Sequence, residues 1–178
     1  RSPSRGLGDV YKRQVDIIRG VLHAPKVLFL DEPTVGLDLP SRRRIWRFIK
    51  QLIDEKQLTV VLTTHYLEEA APCDNVAFIK GGILVSEGAP EKLIDQLGKT
   101  IIEVNGPDTN ALIERFELKK YEYMIEGGVL LIRIKDDETN KLDLIQSTLR
   151  DKADAISVRK SNLNDVFLWL SSNDHGLK

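Results

Sequence analysis

One cysteine, Cys73, stands in 178 residues, so the chain has no internal disulfide and no second thiol at metal-ligand spacing. That thiol is expected to be a small buried apolar group in a reducing compartment. Aromatic residues are scarce, at 6%, and neither sign of charge is in excess: 26 Lys+Arg face 27 Asp+Glu, a net charge of -1. Domains dedicated to nucleic acid usually carry a basic surplus, so nucleic acid is not expected as a partner. Long apolar runs are missing as well. Runs such as Val60-Val61-Leu62 last one strand, far short of the roughly 20 residues that a membrane-crossing helix needs. Any association with a membrane is therefore expected to pass through another protein. Neither repeats nor low-complexity tracts occur.

What is present fits a globular chain: 42% apolar and 30% charged residues, enough for one ordinary domain or two small ones. The opening stretch, RSPSRGLGDVYKRQ, is polar and basic and has no apolar region of the kind a signal peptide carries. It resembles translated cloning or adapter sequence. Residues 1–14 are expected to be foreign and to lie outside the fold.

From Val15 onward the apolar spacing alternates between two periods. Val15, Ile18, Val21 and Leu22 mark a helix that His23-Ala24-Pro25 ends. Val27 to Leu30 is a continuous apolar run, which suits a strand covered on both faces in a parallel sheet. Asp38 to Glu55 reads as an amphipathic helix with Asp38 as N-cap and Pro40 in its first turn. Leu58 to Leu62 is a second buried strand, closed by Thr63-Thr64-His65, and Tyr66 to Ala71 opens another helix. This βαβ order predicts a right-handed crossover. Val76–Ile79 and Ile83–Val85 flank Gly81-Gly82 as a hairpin. A short helix begins at Pro90, and a domain boundary is expected near Gly98.

Beyond that point the rhythm changes to strand 101–104, helix 110–116, strand 121–126, strand 129–134, helix 142–149 and strand 155–158. That βαββαβ order is the ferredoxin-like pattern. A last helix, Leu163 to Leu170, comes after Asn162 as N-cap.

The chemistry gathers at strand ends. In doubly wound sheets ligands bind outside the carboxyl ends of the strands. Asp31 and Glu32 stand there on one strand, and His65 stands there on the next. A hard carboxylate oxygen suits Mg²⁺, which binds through carboxylate, water and substrate phosphate. A second carboxylate beside it can orient or deprotonate a water. Each residue also has a plainer role: Asp31 as a turn cap, Asp38 as a helix cap and His65 as a satisfied structural histidine. The basic run Arg42-Arg43-Arg44 reads as a solvated helix face.

VLFLDEPTVGLD, then VVLTTHYLEEA, resembles the Walker B, D-loop and switch-histidine segments of ATP-binding-cassette (ABC) ATPases. The resemblance spans residues 15–97. Residues 98–178, ending NLNDVFLWL, resemble the accessory C-terminal domain of drug- and antibiotic-exporter ATPases of the ABC-2 type. The resemblance implies an α/β fold: the C-terminal half of a P-loop NTPase-like parallel sheet with flanking helices, and after it the small ferredoxin-like domain. It implies ATP and Mg²⁺ as cofactors, Asp31 in the metal shell and Glu32 polarising the attacking water. Asp38 would be the D-loop acid that reaches across a nucleotide sandwich dimer, and His65 would contact the γ-phosphate. The implied partners are a membrane-spanning permease subunit and a second nucleotide-binding subunit, at the cytoplasmic face of a prokaryotic membrane.

Phosphoryl transfer also needs a cradle of backbone N–H groups and a lysine. Gly98-Lys99-Thr100 imitates the end of such a loop, but Leu93 occupies its first glycine position and the order is helix then strand. Leu7-Gly8-Asp9-Val10 stands where the family's Leu-Ser-Gly-Gly signature is expected, and an aspartate there would repel phosphate. The chain is therefore expected to be a fragment of an exporter ATPase that neither binds ATP tightly nor hydrolyses it alone. The competing readings are a soluble non-transport ABC ATPase and a C-terminal domain that acts as a regulatory ligand-binding module.

Overall fold

The sheet-forming segments are those whose apolar residues run continuously or alternate, and the two kinds end up in different surroundings. The computed structural model describes residues 4–106, 109–115, 118, 121–135, 139–149 and 153–172. The chain divides into two compact units, Arg1–Tyr66 and Leu67–Lys178.

In the first unit, α1 (Ser4–Val21) precedes β1 (Val27–Asp31), α2 (Leu39–Lys56) and β2 (Thr59–Thr63). The two strands pair in parallel, with Val27 opposite Thr59 and Asp31 opposite Thr63. One sheet face supplies Leu28 to a core shared with Val10, Ile17, Ile45, Ile49 and Leu58, and Leu30 and Val60 pack at its margin. Each such buried aliphatic side chain contributes about 1.5–3 kcal/mol of transfer free energy. The helix expected from Val15 starts instead at Ser4, and Val10 is fully buried. Val10 lies one heptad ahead of Ile17, so both stand on one buried helix face, whereas Val15, Ile18 and Leu22, expected to mark the apolar face, are exposed. Val10, within the stretch expected to lie outside the fold, thus contributes to this core.

The α2 boundaries are set by their caps. Asp38, extended at φ -69, accepts a hydrogen bond from the Ser41 N–H at 2.8 Å, and Gln57 ends the helix in the left-handed region at φ 50.

The second unit begins with the short helix α3 (Leu67–Ala70) and an antiparallel hairpin, β3 (Val76–Lys80) and β4 (Ile83–Gly88). Gly81 and Gly82 turn it at φ 58 and φ 80, the double positive φ that a tight two-residue loop demands. Cys73 is half-buried rather than in the core. Its thiol donates to the Glu69 carbonyl at 3.6 Å, and burial pushes its pKa up.

Next come α4 (Pro90–Leu97), β5 (Thr100–Asn105), α5 (Thr109–Arg115), β6 (Glu122–Glu126), β7 (Val129–Ile134), α6 (Thr139–Leu149), β8 (Ala155–Lys160) and α7 (Leu163–Ser172). The last four strands form one sheet in the order β6-β7-β5-β8, antiparallel throughout. Its two faces feed two cores. Ile101 and Leu131 pack with Phe78, Leu93, Leu97, Val166 and Trp169 on one side, while Ile102, Val104 and Ile132 pack with Leu112, Ile113, Ile145 and Leu149 on the other.

The hairpin and α4 therefore share a core with β5, β7 and α7. The compact division lies upstream of the boundary expected near Gly98. Gly98 itself is no linker: at φ 110, a Cβ there would sit 2.7 Å from the Ile134 carbonyl oxygen. The helix expected over 110–116 ends at Arg115, and Phe116 lies outside the described residues, as does His175.

Candidate active site

The continuous run of β1 delivers Asp31 to the strand's carboxyl end, and the parallel register sets Thr63 of β2 beside it. The Thr63 hydroxyl donates to Asp31 Oδ1 at 2.5 Å and accepts from the Glu32 N–H at 3.0 Å. One side chain of β2 thus holds the Asp31 carboxylate and the backbone of Glu32 just after β1. Sequence reading gave Thr63 no role. The signal was the register itself, which places it opposite Asp31.

Glu32 does not continue the strand. Its φ is 45, in the left-handed region that a residue with a Cβ enters at a cost of about 1–3 kcal/mol. The kink is held on both sides: the Glu32 N–H by Thr63, and the Glu32 carbonyl by the Val35 N–H at 3.2 Å. Glu32 Oε2 lies 2.9 Å from His65 Nδ1, a contact that is an ion pair when the imidazole is protonated. The Glu32 side chain is one-third exposed and that of His65 about half, so reagents in solution reach both.

His65 has a second neighbour. The Tyr66 ring lies 4.0 Å from the imidazole, tilted by 41°, and the Arg42 guanidinium sits over the Tyr66 ring at 4.1 Å. The Tyr66 N–H donates to Thr64 Oγ1 at 3.0 Å, which closes the turn after β2.

The structure thus brings Asp31, Glu32 and His65 to one edge. Asp38 has a different local partner: it caps α2, and bonds from Ser41 hold its carboxyl below the usual value, with Arg44 adding to the effect. Asp31 presents an exposed carboxylate. Among the described residues, no group of three or more His, Cys, Asp and Glu side chains converges as a metal site.

No family model matches the chain. Curated relatives do. The Nod factor export ATP-binding protein I of Rhizobium etli is 35% identical over 92% of this chain and 51% of its own length. The protein of the same name from Neorhizobium galegae is 36% identical over 92% of this chain and 46% of its own, and that from Burkholderia lata 33% over 92% and 53%.

The chain is thus similar to export ATP-binding proteins over 92% of its own length.

It spans about half the length of the curated relatives it matches. Among its described residues no helix is long and apolar enough to cross a membrane.

Proposed function

We propose that this chain carries the hydrolytic edge of the ATP site in an ABC-type exporter subunit. The observation that supports it best is the 2.9 Å contact between Glu32 and His65 beside an Asp31 pinned by Thr63. Glu32 is oriented at a strand end, exposed to water and paired with an imidazole, the arrangement a base needs to polarise an attacking water. His65, across from it, would contact the γ-phosphate. Asp31 supplies one hard oxygen without a closed protein cage, which fits Mg²⁺ taken up together with phosphate oxygens and water. When bound, that ion would neutralise charge on the phosphates; Asp31 would hold its shell. Asp38, the N-cap of α2, would face a second nucleotide-binding subunit.

On this reading residues 15–97 are the C-terminal part of a nucleotide-binding domain, and residues 98–178 are an accessory module of ferredoxin-like arrangement, consistent with the sheet order β6-β7-β5-β8. The protein would work at the cytoplasmic face of a bacterial membrane with a membrane-spanning permease. The relatives' names favour export over a soluble, non-transport ABC role.

The test is a chimera in which residues 15–178 replace the matching half of the Rhizobium etli relative. The chimera should hydrolyse Mg·ATP. Glu32→Gln should retain binding and lose turnover by about a hundredfold or more, the scale of general-base and electrostatic contributions. Asp31→Asn should weaken Mg·ATP at the binding stage, and His65→Ala should slow turnover with binding nearly intact. Parental turnover in Glu32→Gln would sink the assignment.

A further inference from the structure

The Tyr66 ring is the piece of this edge to which hydrolysis assigns no role. It is half-buried between two partners of different kinds: the His65 imidazole at 4.0 Å and the Arg42 guanidinium at 4.1 Å. Arg42 stands in the first turn of α2, where its own N–H bonds to the Asp38 carbonyl at 2.9 Å. A rigid path therefore runs from the capped end of α2 through Arg42 and Tyr66 to His65, and from His65 to Glu32.

We propose that Tyr66 is a positioning residue for His65: Arg42 clamps its ring from one side, and the ring sets the plane in which the imidazole meets Glu32. The physical case is one of restraint. His65 comes just after the last residues of β2 and is about half exposed, so its backbone alone leaves χ1 and χ2 free to rotate. The Glu32 contact fixes one ring nitrogen but not the rotation about it. A flat ring against the imidazole removes that freedom. The guanidinium over the aromatic face adds a cation–π contact that holds the Tyr66 ring in its orientation. Thr64 Oγ1, bonded to the Tyr66 N–H, fixes the backbone from which the ring projects.

This role rests on the reading of His65 as a participant in ATP hydrolysis, and the test separates the two. In the same chimera, Tyr66→Leu should lower kcat roughly ten- to a hundredfold with KM for Mg·ATP unchanged, since a misplaced group costs rate and not ground-state binding. Tyr66→Phe, which keeps the ring, should restore the parental kcat. If leucine aggregates, Tyr66→Gln takes its place. A second readout needs no activity. In the 178-residue chain, the imidazole proton resonances of His65 should be displaced upfield by the neighbouring ring, unchanged in Tyr66→Phe and shifted downfield in Tyr66→Leu, while those of His23 stay put. A chimera with no turnover at all would count against the hydrolytic reading alone, and the resonances would still decide the restraint. Parental kcat in the ringless variants, equal loss in Tyr66→Phe, or unmoved His65 resonances would overturn the role of Tyr66.

Discussion

Backbone conformations with positive φ are distributed differently in the two units. Among the described residues of Leu67–Lys178, every one is glycine: Gly81, Gly82, Gly88, Gly98, Gly127 and Gly128. In Arg1–Tyr66, Ala24, Glu32 and Gln57 occupy that region alongside Gly36. The second unit meets each demand for left-handed backbone with the residue that tolerates it. The first unit accepts strain, and at Glu32 it does so in the candidate site. The sheets differ in the same direction. β5 has Ile101, Ile102 and Val104 all fully buried, covered on both faces, whereas β1 leaves Phe29 75% exposed. A parallel strand with one bare apolar face is built for cover it does not receive from its own unit. One unit is organised for stability and the other for a site.

The largest effect that would sharpen this contrast lies in the second unit. Asp165, 1% exposed, takes two bonds from the Arg159 guanidinium at 2.7 and 2.8 Å and one from the Asn162 N–H at 2.8 Å. Asn162 Oδ1 accepts a bond from the Asn164 N–H at 2.8 Å, so the start of α7 is capped from both sides and tied to β8. Asp165→Ala should cost about 3 kcal/mol, the low end for breaking a buried pair, because water reaches the stranded guanidinium. Urea unfolding monitored at Trp169, which is buried in the core next to α4, should show the loss. The imidazole resonances of His65 should not respond. If they move as far as the Trp169 signal, the units are not separately organised.

Acid should bring a smaller effect in the same place. The Arg159 Nε donates to Glu103 at 2.6 Å and Ser157 adds a second bond, so the Glu103 carboxyl titrates below its ordinary value. A depressed carboxylate pKa means that the folded state holds the charged form better than the unfolded one. That stabilisation is complete above the ordinary value of 4.5 and is lost as pH falls through the lower folded value. Stability of the second unit should therefore decline below about pH 4.5, and Glu103→Gln should flatten that limb of the profile. A slope unchanged in Glu103→Gln would show that the pair contributes nothing.

Much of this was readable because the determinants were local. Asp38 ahead of Pro40 announces a helix start, Gly81-Gly82 between apolar runs announces a hairpin, and Asn162 announces α7. All three stand where expected. What escaped the sequence depends on partners far along the chain. Thr63 gains its role only once β2 lies in register with β1, thirty-two residues from Asp31. Gly98 looks like punctuation until the approach of Ile134 explains it. The upstream start of α1 is hidden by the polar composition ahead of Val15, although Val10 keeps the periodicity of Ile17. That Asp31, Glu32 and His65 meet at one edge was legible, since strand ends and ionisable residues suffice to propose it as a candidate site. The left-handed turn at Glu32 was not, because nothing about a glutamate asks for it.

That turn gives the smallest effect and the most direct test of the contrast between the units. In the left-handed region any residue with a Cβ crowds the next carbonyl, at roughly 1–2 kcal/mol, and glycine does not. Glu32→Ala and Glu32→Gly both remove the carboxylate and its contact with His65, so the difference between them isolates the backbone. Elsewhere alanine is the more stable partner of such a pair, because glycine loses more freedom on folding. Here the order should invert, with Glu32→Gly more stable than Glu32→Ala by about 1 kcal/mol in urea unfolding of the chain. Both variants should be inactive in the chimera. A stability gained only by discarding the carboxylate would mean that the first unit carries strain there as a condition of pointing Glu32 at His65. If alanine proves the more stable, Glu32 is not held left-handed in solution, and the first unit obeys the same backbone rule as the second.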